Sequence, residues 1–276
     1  MRHENNRAPK AVILAAGIGS RLHPLTDDGP KSLLSVGGSV ILERMIRNCL
    51  SSGISQFVLV LGYRDDQIRE FINKTFRGIR ISYVVNDKYQ DTNTGYSLML
   101  ASAAIAGSEF VKFDADVVFD TKILRRLLDS EMSNVLCIDR DIALEDEEVK
   151  VIADDQMRVL EVGKSVDPKK AVGESIGIEK ISAEAGSVLF AELVQMMKDP
   201  LLHQEYYEAA YARLVTKGTV FHALDISGLD WTEIDTAKDF ALANDMFQSP
   251  IKTVSRSQQS ALDEAAAKVA VPTLPS

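Results

Sequence analysis

The sequence predicts an α/β protein, a mixed and mostly parallel sheet covered by helices with a small antiparallel extension. Three observations carry this. Short β-rich apolar runs alternate with helix-patterned segments through the first half, as crossover connections require. In the middle of the chain the runs shorten and acidic turns join them, which suits antiparallel pairing. Apolar residues make up 46% of the 276, enough to bury a full core.

The elements follow in order. AVILAA, from Ala11, is the first strand, and a helix over Val40 to Leu50 follows the turn at Gly37 and Gly38. QFVLVLG, from Gln56, is the second strand, followed by a helix from Asp65 to Phe76. IRISYVV, from Ile79, is the third; a polar loop, NDKYQDTNTG, then leads to a helix from Tyr96 to Ala106. EFVKFDAD, from Glu109, is the fourth and ends in carboxylates. NVLCIDR, VKVIADD and RVLEVGK form the antiparallel extension. After ESIGIEKIS come helices over Ala183 to Lys198 and Gln204 to Lys217, the strand TVFHALDI, and a helix from Thr236 to Phe247. No internal repeat is visible. One domain over residues 1–248 is expected, with residues 249–276 a loosely ordered tail rich in Ser, Ala and Gln.

A formal charge of −9 argues against a nucleic-acid groove, which needs a basic face. A small phosphorylated ligand needs only a few local cations. Cys49 and Cys137 lie in apolar stretches, where buried free thiols are expected rather than a disulfide. The polar opening MRHENNRAPK and the short apolar run behind it suit neither a signal peptide nor a membrane span, so a cytoplasmic protein without a membrane partner is expected.

The loop after the first strand carries the chemistry. In an open α/β sheet, ligands sit beyond the carboxyl ends of the strands, and this loop is the usual phosphate cradle. Gly17 and Gly19 let backbone N–H groups approach an anion. A dinucleotide loop would place a third glycine where Leu22 stands and start a helix, which His23, Pro24 and Pro30 prevent. A P-loop fails because Lys31 lies outside its motif. What remains is a long anion loop with two cations, Arg21 and Lys31, a fork and a point charge suited to a polyphosphate. Two solvated surface cations are the alternative.

The stretch LAAGIGSRLHPLTDDGPKSLL resembles the signature loop L-A-A-G-x-G-S/T-R-(x)n-P-K of the nucleotidyltransferases that join an NTP to a phosphorylated acceptor and release pyrophosphate. The resemblance covers Lys10 to Asn244 and implies a Rossmann-like fold of the nucleotide-diphospho-sugar transferase type. It implies that Ala15, Ala16 and Gly17 bound the base pocket, that Gly19, Ser20 and Arg21 wrap the triphosphate, and that Lys31 neutralises it during transfer.

Such a transfer calls for a divalent cation, and Mg²⁺ prefers oxygen ligands. FDAD offers Asp114 and Asp116, whose spacing puts both on one face of a strand, and WTEIDT offers Glu233 and Asp235. Helix capping is the alternative for Asp116, Asp235 or Thr236. The resemblance favours Asp116 and Asp235 as metal ligands, with Asp114 and Glu233 supporting them. No general base is required, because a phosphate monoester with a second pKa near ~6 is already anionic at neutral pH. His23 is expected to be a solvated loop histidine.

RVLEVGKSVDP resembles the segment in which a lysine meets the acceptor phosphate, which implicates Lys164; an ordinary solvated lysine is the alternative. VVNDKYQDTNTGYSLMLA is similar to the bacterial phosphocholine and aminoalkylphosphonate cytidylyltransferases, with the pattern N-D-x-Y-(x)n-N-x-x-S-L matched by Asn86, Asn93 and Ser97. This implies CTP as donor, Asn86 near the base, and Asn93 near the acceptor or ribose. The acceptor pocket would then come from ESIGIEKIS, HQEYYEAAY and the segment around Trp231, and Tyr206, Tyr207 and Glu208 fall where those enzymes place aromatic and acidic residues, which would suit a cationic head group. Tyrosines spaced along a helix are as readily packing residues. Trp231 is the only tryptophan, so a full trimethylammonium cage is not expected. An aminoalkylphosphonate, another phosphonate, or an inositol or sugar phosphate stay open as acceptors. A sugar-1-phosphate enzyme is the first rival reading. A non-catalytic module is the second, and such modules typically lose the loop cations or the carboxylates, whereas Arg21, Lys31, Asp116 and Asp235 are all present.

Overall fold

The computed structural model describes residues 8–251, so residues 252–276 of the expected tail lie outside the described part. In chain order the elements are β1 (Lys10–Ala15), β2 (Ser35–Val36), β3 (Ser39–Val40), α1 (Ile41–Ser51), β4 (Gln56–Leu61), α2 (Asp65–Thr75), β5 (Arg80–Val85), α3 (Thr94–Leu100), α4 (Ser102–Ile105), β6 (Phe110–Asp114) and β7 (Val117–Phe119). Then come α5 (Thr121–Asp129), β8 (Val135–Asp139), β9 (Lys150–Ala153), β10 (Val159–Gly163), β11 (Gly173–Ile181), α6 (Ala183–Met196), α7 (Glu208–Thr216), β12 (His222–Asp225), β13 (Trp231–Glu233) and α8 (Ala237–Met246).

The main sheet runs β10-β9-β11-β6-β1-β4-β5, with β8 also on β11 and β12 on β8. Strands β6, β1, β4 and β5 are parallel. Strand β1 is central and apolar on both sides, as a helix-covered parallel strand must be. Its Ala11, Ile13 and Ala15 pack with α1, α2 and α5, and its Val12 and Leu14 with α3, α6 and α7. Strand β11 runs antiparallel to β6, β8 and β9, giving the expected extension. One pairing differs from a purely antiparallel extension. Strand β12 joins β8 in parallel, because helices α6 and α7 intervene and return the chain to the same end of the sheet.

Two helices also differ from their sequence reading. The one expected over Tyr96 to Ala106 starts earlier, at Thr94 under the cap of Asn93, and breaks at Ala101 into α3 and α4. Helix α7, expected from Gln204, begins at Glu208. The intervening backbone bonds elsewhere: the Asn93 N–H donates to the His203 carbonyl, the Gly95 N–H to the Glu205 carbonyl, and the Tyr207 N–H to the Thr94 hydroxyl. Segment 203–207 is thus a strap laid over the start of α3.

A knot closes the other side. The guanidinium of buried Arg44 in α1 donates to the carbonyls of Val36, Gly37, Phe247 and Ser249 at 2.7 to 3.3 Å. The hairpin β2–β3 turns through Gly37 at φ +54, and a Cβ there would sit 1.5 Å from the Phe247 carbonyl oxygen. Residues just beyond α8 therefore pack against the chain that follows the first loop. Cys49 and Cys137 are buried free thiols. No helix among the described residues is long and apolar enough to cross a membrane.

Candidate active site

Strand β1 delivers its backbone into a cleft at the carboxyl end of the sheet. The Ala16 carbonyl accepts from the Tyr63 N–H at 3.0 Å, which holds the start of the loop against the end of β4. Gly17 is exposed and open on the side where a Cβ would point. Gly19 adopts φ +69, and a Cβ there would lie 3.1 Å from the Lys31 Cβ, so the backbone favours glycine and a side chain would crowd Lys31. Thr26 donates to the Gly19 carbonyl at 3.0 Å. The loop is therefore folded back on itself through short 3₁₀ turns at Ser20–Leu22 and Lys31–Leu33 rather than through a regular helix. Ala15, Gly17, Gly19, Lys31, Ser32 and Asp116 line a solvent-open cleft with about 350 Å³ of empty space. Ser20 and Arg21 stand exposed at its rim, and Ala16 is buried beneath it.

Lys31 crosses this cleft. Its Nζ lies 2.8 Å from Asp116 Oδ2 and 2.6 Å from Asp235 Oδ1, and the Arg21 guanidinium lies 2.7 Å from Asp235 Oδ2. Burial works against the Lys31 charge, but Asp116 and Asp235 outweigh it and hold the ammonium's pKa above its ordinary value. Burial likewise opposes ionisation of Asp235, yet Lys31 and then Arg21 hold its carboxyl below the usual range. Strand β13 pairs with β7, which follows Asp116, and that pairing brings the WTEIDT segment to the FDAD segment. Neither capping alternative is realised for the two carboxylates. Asp120 caps α5, and Thr236 with Asp239 forms the capping box of α8.

The donor set suits a hard divalent cation. Asp116, Glu233 and Asp235 each offer a carboxylate oxygen, all within 4.8 Å of one another. Oδ1 of Asp116 is buried without a hydrogen-bond partner. Lys31 already stands between two of these groups as a cation would.

Asp114 lies within electrostatic reach of Asp116 and Glu233 but makes its own bonds elsewhere. Strand β6 ends at Asp114, so the alternation that would put both aspartates on one face does not extend to Asp116. Asp114 Oδ2 instead accepts from Lys112 Nζ at 2.8 Å and from the Tyr207 hydroxyl at 2.6 Å. Lys112, fully buried, also pairs with Glu179 at 2.8 Å. The backbone makes room at Gly177, whose φ is +74 and whose Cβ would sit 2.5 Å from Asp114 Oδ2. The expectation that Tyr207 and Glu208 line the acceptor pocket is corrected here. Tyr207 is only 2% exposed, with Lys112 Nζ 3.6 Å from its ring centroid, and Glu208 is buried in the same cluster. The aromatic face expected for a ligand is covered by the protein's own ammonium.

The remaining expected residues fall in three places. Asn86 is buried and donates to the Thr92 and Ser97 hydroxyls at 3.0 Å while accepting from the Lys88 N–H. Its side chain fixes the 86–97 loop, and any role near a base is through that loop. Asn93 caps α3 and donates to the Gln204 carbonyl. Lys164 reaches Glu147 at 3.3 Å and stands 4.8 Å from the ring centroid of half-exposed Tyr206. Exposed His23 pairs with Asp27. Sequence reasoning missed Lys112, although a lysine inside the apolar run FVKFDAD was the available signal; ESIGIEKIS, which carries Glu174 and Glu179, was expected to contribute to the acceptor pocket, but neither glutamate was singled out.

A family model described as nucleotidyl transferase matches residues 10–147, half of the chain. The CMP-5'-(3-aminopropyl)phosphonate synthase of Streptomyces rubellomurinus is 28% identical over 251 residues, covering 87% of this chain and 39% of that protein. The choline-phosphate cytidylyltransferase of Streptococcus pneumoniae is 38% identical over 107 residues, covering 39% of this chain and 44% of that protein. The chain thus spans about two fifths of the length of either relative. Among solved structures, the CTP:phosphocholine cytidylyltransferase of Streptococcus pneumoniae superposes with a TM-score of 0.72 at 24% identity, over 87% of this chain and 99% of that one, which is a likeness of fold.

Proposed function

Because the chain belongs to the nucleotidyl transferase family, we propose that it is a cytidylyltransferase that joins CMP from CTP to a small phosphate or phosphonate and releases pyrophosphate. The observation that carries the reading is the convergence of Lys31 and Arg21 on Asp116 and Asp235 at the mouth of a glycine loop. A polyphosphate entering there meets backbone N–H groups and two cations. The names of the relatives support CTP as donor and a small phosphate or phosphonate as acceptor.

In the proposed reaction an acceptor oxygen bonds to the α-phosphorus of CTP, and the bond from that phosphorus to the bridging oxygen breaks. The electron pair leaves with pyrophosphate. The acceptor oxygen is anionic at neutral pH, so no side chain has to remove a proton. The chain's task is to hold two anions in line and offset their charge. Lys31 and Arg21 do so on the triphosphate, and Lys164 on the acceptor phosphate. Asp116 and Asp235, with Glu233 beside them, would hold Mg²⁺, which supplies charge neutralisation as the phosphates reorganise.

Pyrophosphate release with Mg²⁺ across CTP, UTP, GTP, ATP and dTTP, each against phosphocholine, 2-aminoethylphosphonate, inositol phosphate and glucose-1-phosphate, tests this. Turnover confined to CTP and a non-sugar acceptor is expected. Turnover with UTP or dTTP and a sugar phosphate would replace it with the sugar-nucleotide reading.

A further inference from the structure

Glu174 stands out among groups the mechanism does not use. It is 8% exposed, and its carboxylate makes no hydrogen bond or ion pair among the described residues. Register places it directly opposite Asp139 on β8 and opposite Lys150 on β9. Directly opposed residues share a face of the sheet, and like charges placed so repel. Lys150 and Lys164 offset part of this repulsion, but neither forms an ion pair with Glu174, and the Lys150 Nζ donates instead to the carbonyls of Glu145, Asp146 and Glu148 at 2.7 to 3.3 Å. Asp139 receives only a neutral donor at its Oδ2, the indole N–H of Trp231 at 2.7 Å. Burial, followed by Glu148 and Asp139, pushes the Glu174 carboxyl up to about 7. Two carboxylates are thus set on one face of neighbouring strands, and no ion pair among the described residues joins either of them to a protein cation.

Their place in the fold says what they face. Both β6 and β8 run antiparallel to β11, so Asp139 ends β8 at the same end of the sheet where Asp114 ends β6. That is the end carrying the cleft. Lys164, the ammonium proposed to meet the acceptor phosphate, lies within electrostatic reach of both Glu174 and Asp235. The indole of Trp231 and the ring of Tyr206 beside Lys164 are aromatic surfaces there, and such surfaces suit an organic cation.

We propose that Glu174, with Asp139, is the specificity-determining end of the acceptor site and reads a positively charged ammonium group carried a few bonds from the acceptor's phosphate or phosphonate. The assignment rests on the nucleotidyl-transfer reading and moves head-group recognition from Tyr207 and Glu208 to the antiparallel extension. An ammonium there separates the like charges of the cross-strand pair and keeps Glu174 ionised. The bound acceptor then spans from Lys164 at its anionic end to Glu174 at its cationic end.

The test compares wild type with Glu174→Gln, using CTP and three acceptors: 2-aminoethylphosphonate, phosphocholine and ethylphosphonate, which lacks the cation. In wild type, kcat/KM for at least one cationic acceptor should exceed that for ethylphosphonate by tenfold or more, and the primary and quaternary amines reveal which ammonium is read. Glu174→Gln should raise KM for that acceptor at least tenfold more than it raises KM for CTP or for ethylphosphonate. Equal losses with all three acceptors would mean a structural carboxylate or a second metal position and would overturn the assignment, as would a wild-type preference for ethylphosphonate. Asp139→Asn, which can still accept from Trp231, gives the same comparison if Glu174→Gln does not fold. Should wild type turn over CTP with none of them, the nucleotidyl-transfer reading fails on its own account. Calorimetric binding of the same compounds then decides the head-group assignment: tighter binding of a cationic compound that is lost in Glu174→Gln upholds it, and equal binding overturns it.

Discussion

Nζ of Lys31 and Oδ1 of Asp235 lie 2.6 Å apart across a separation of 204 residues. The same ammonium also bonds Asp116, so one side chain joins the first loop to both carboxylates. A lysine in that position competes with a metal ion for the same oxygens. In nucleotide-free protein, Lys31→Met is expected to bind Mn²⁺ more tightly, by about tenfold, or 1.4 kcal/mol, read by calorimetry or spin resonance. Turnover should meanwhile fall by about 10² or more, as when a charge-stabilising group is removed. Unchanged Mn²⁺ affinity would show that the lysine and the metal do not exclude one another.

Gly19 combines φ +69 with a Cβ position 3.1 Å from the Lys31 Cβ. Gly19→Ala should cost about 1–2 kcal/mol of stability from the left-handed backbone and displace Lys31. A chemical melt and the KM for CTP check this, the latter rising more than the acceptor's KM. A variant with wild-type KM for CTP would separate the loop's backbone from nucleotide binding.

Tyr207 gives its hydroxyl to Asp114, which Lys112 also holds. Tyr207→Phe therefore should lower stability by about 1–2 kcal/mol while leaving the acceptor's KM within about twofold. A large, selective rise in acceptor KM would return this ring to the ligand.

The buried cluster makes stability depend on pH. Burial pushes the Glu208 carboxyl up to about 7; Lys112 opposes the shift and Asp114 adds to it. An unfolded glutamate releases its proton near ~4.3, so between these values the folded chain binds the proton that the unfolded chain has lost. This stabilises the folded state at the acid end of the window, and the contribution disappears as pH rises through about 7. The thermal midpoint should fall between pH 5.5 and 8, and the Glu208→Gln variant should show a shallower fall, with up to about 2 kcal/mol at stake over that range. Glu179, also raised by burial, and Glu174 act in the same direction. Parallel curves for variant and wild type would remove Glu208 from the titration.

Much of the sheet was legible because parallel strands buried on both faces appear as unbroken apolar runs, as AVILAA and QFVLVLG do. The first loop was legible from its glycines and cations. Pairing between distant segments was not, since nothing local to WTEIDT says that β13 will lie on β7 and carry Asp235 to Lys31. The Tyr206–Tyr207 pair shows the limit more sharply. A helix begun at Gln204 sets one wheel of exposure, but the strap bonded to Asn93 and Gly95 delays the helix to Glu208. Tyr206 is then left outside at 40% exposure and Tyr207 sealed at 2%. Periodicity cannot register a helix whose start is decided by hydrogen bonds to another loop.

Arg44 touches no group assigned to the chemistry, yet it rivets the hairpin that follows the Lys31 loop to the chain leaving α8, the helix that follows Asp235. Both halves of the cation bridge therefore share a fastening at the molecule's margin. Such margins open at lower free-energy cost than the sheet interior. Fraying at residues 247–251 would slacken the spacing of Lys31 and Asp235 while the sheet stays intact. Heat would then loosen the cation bridge at this edge, where hydrogen bonds to Asn244 and Ser39 add to the four from Arg44, before it opens the sheet.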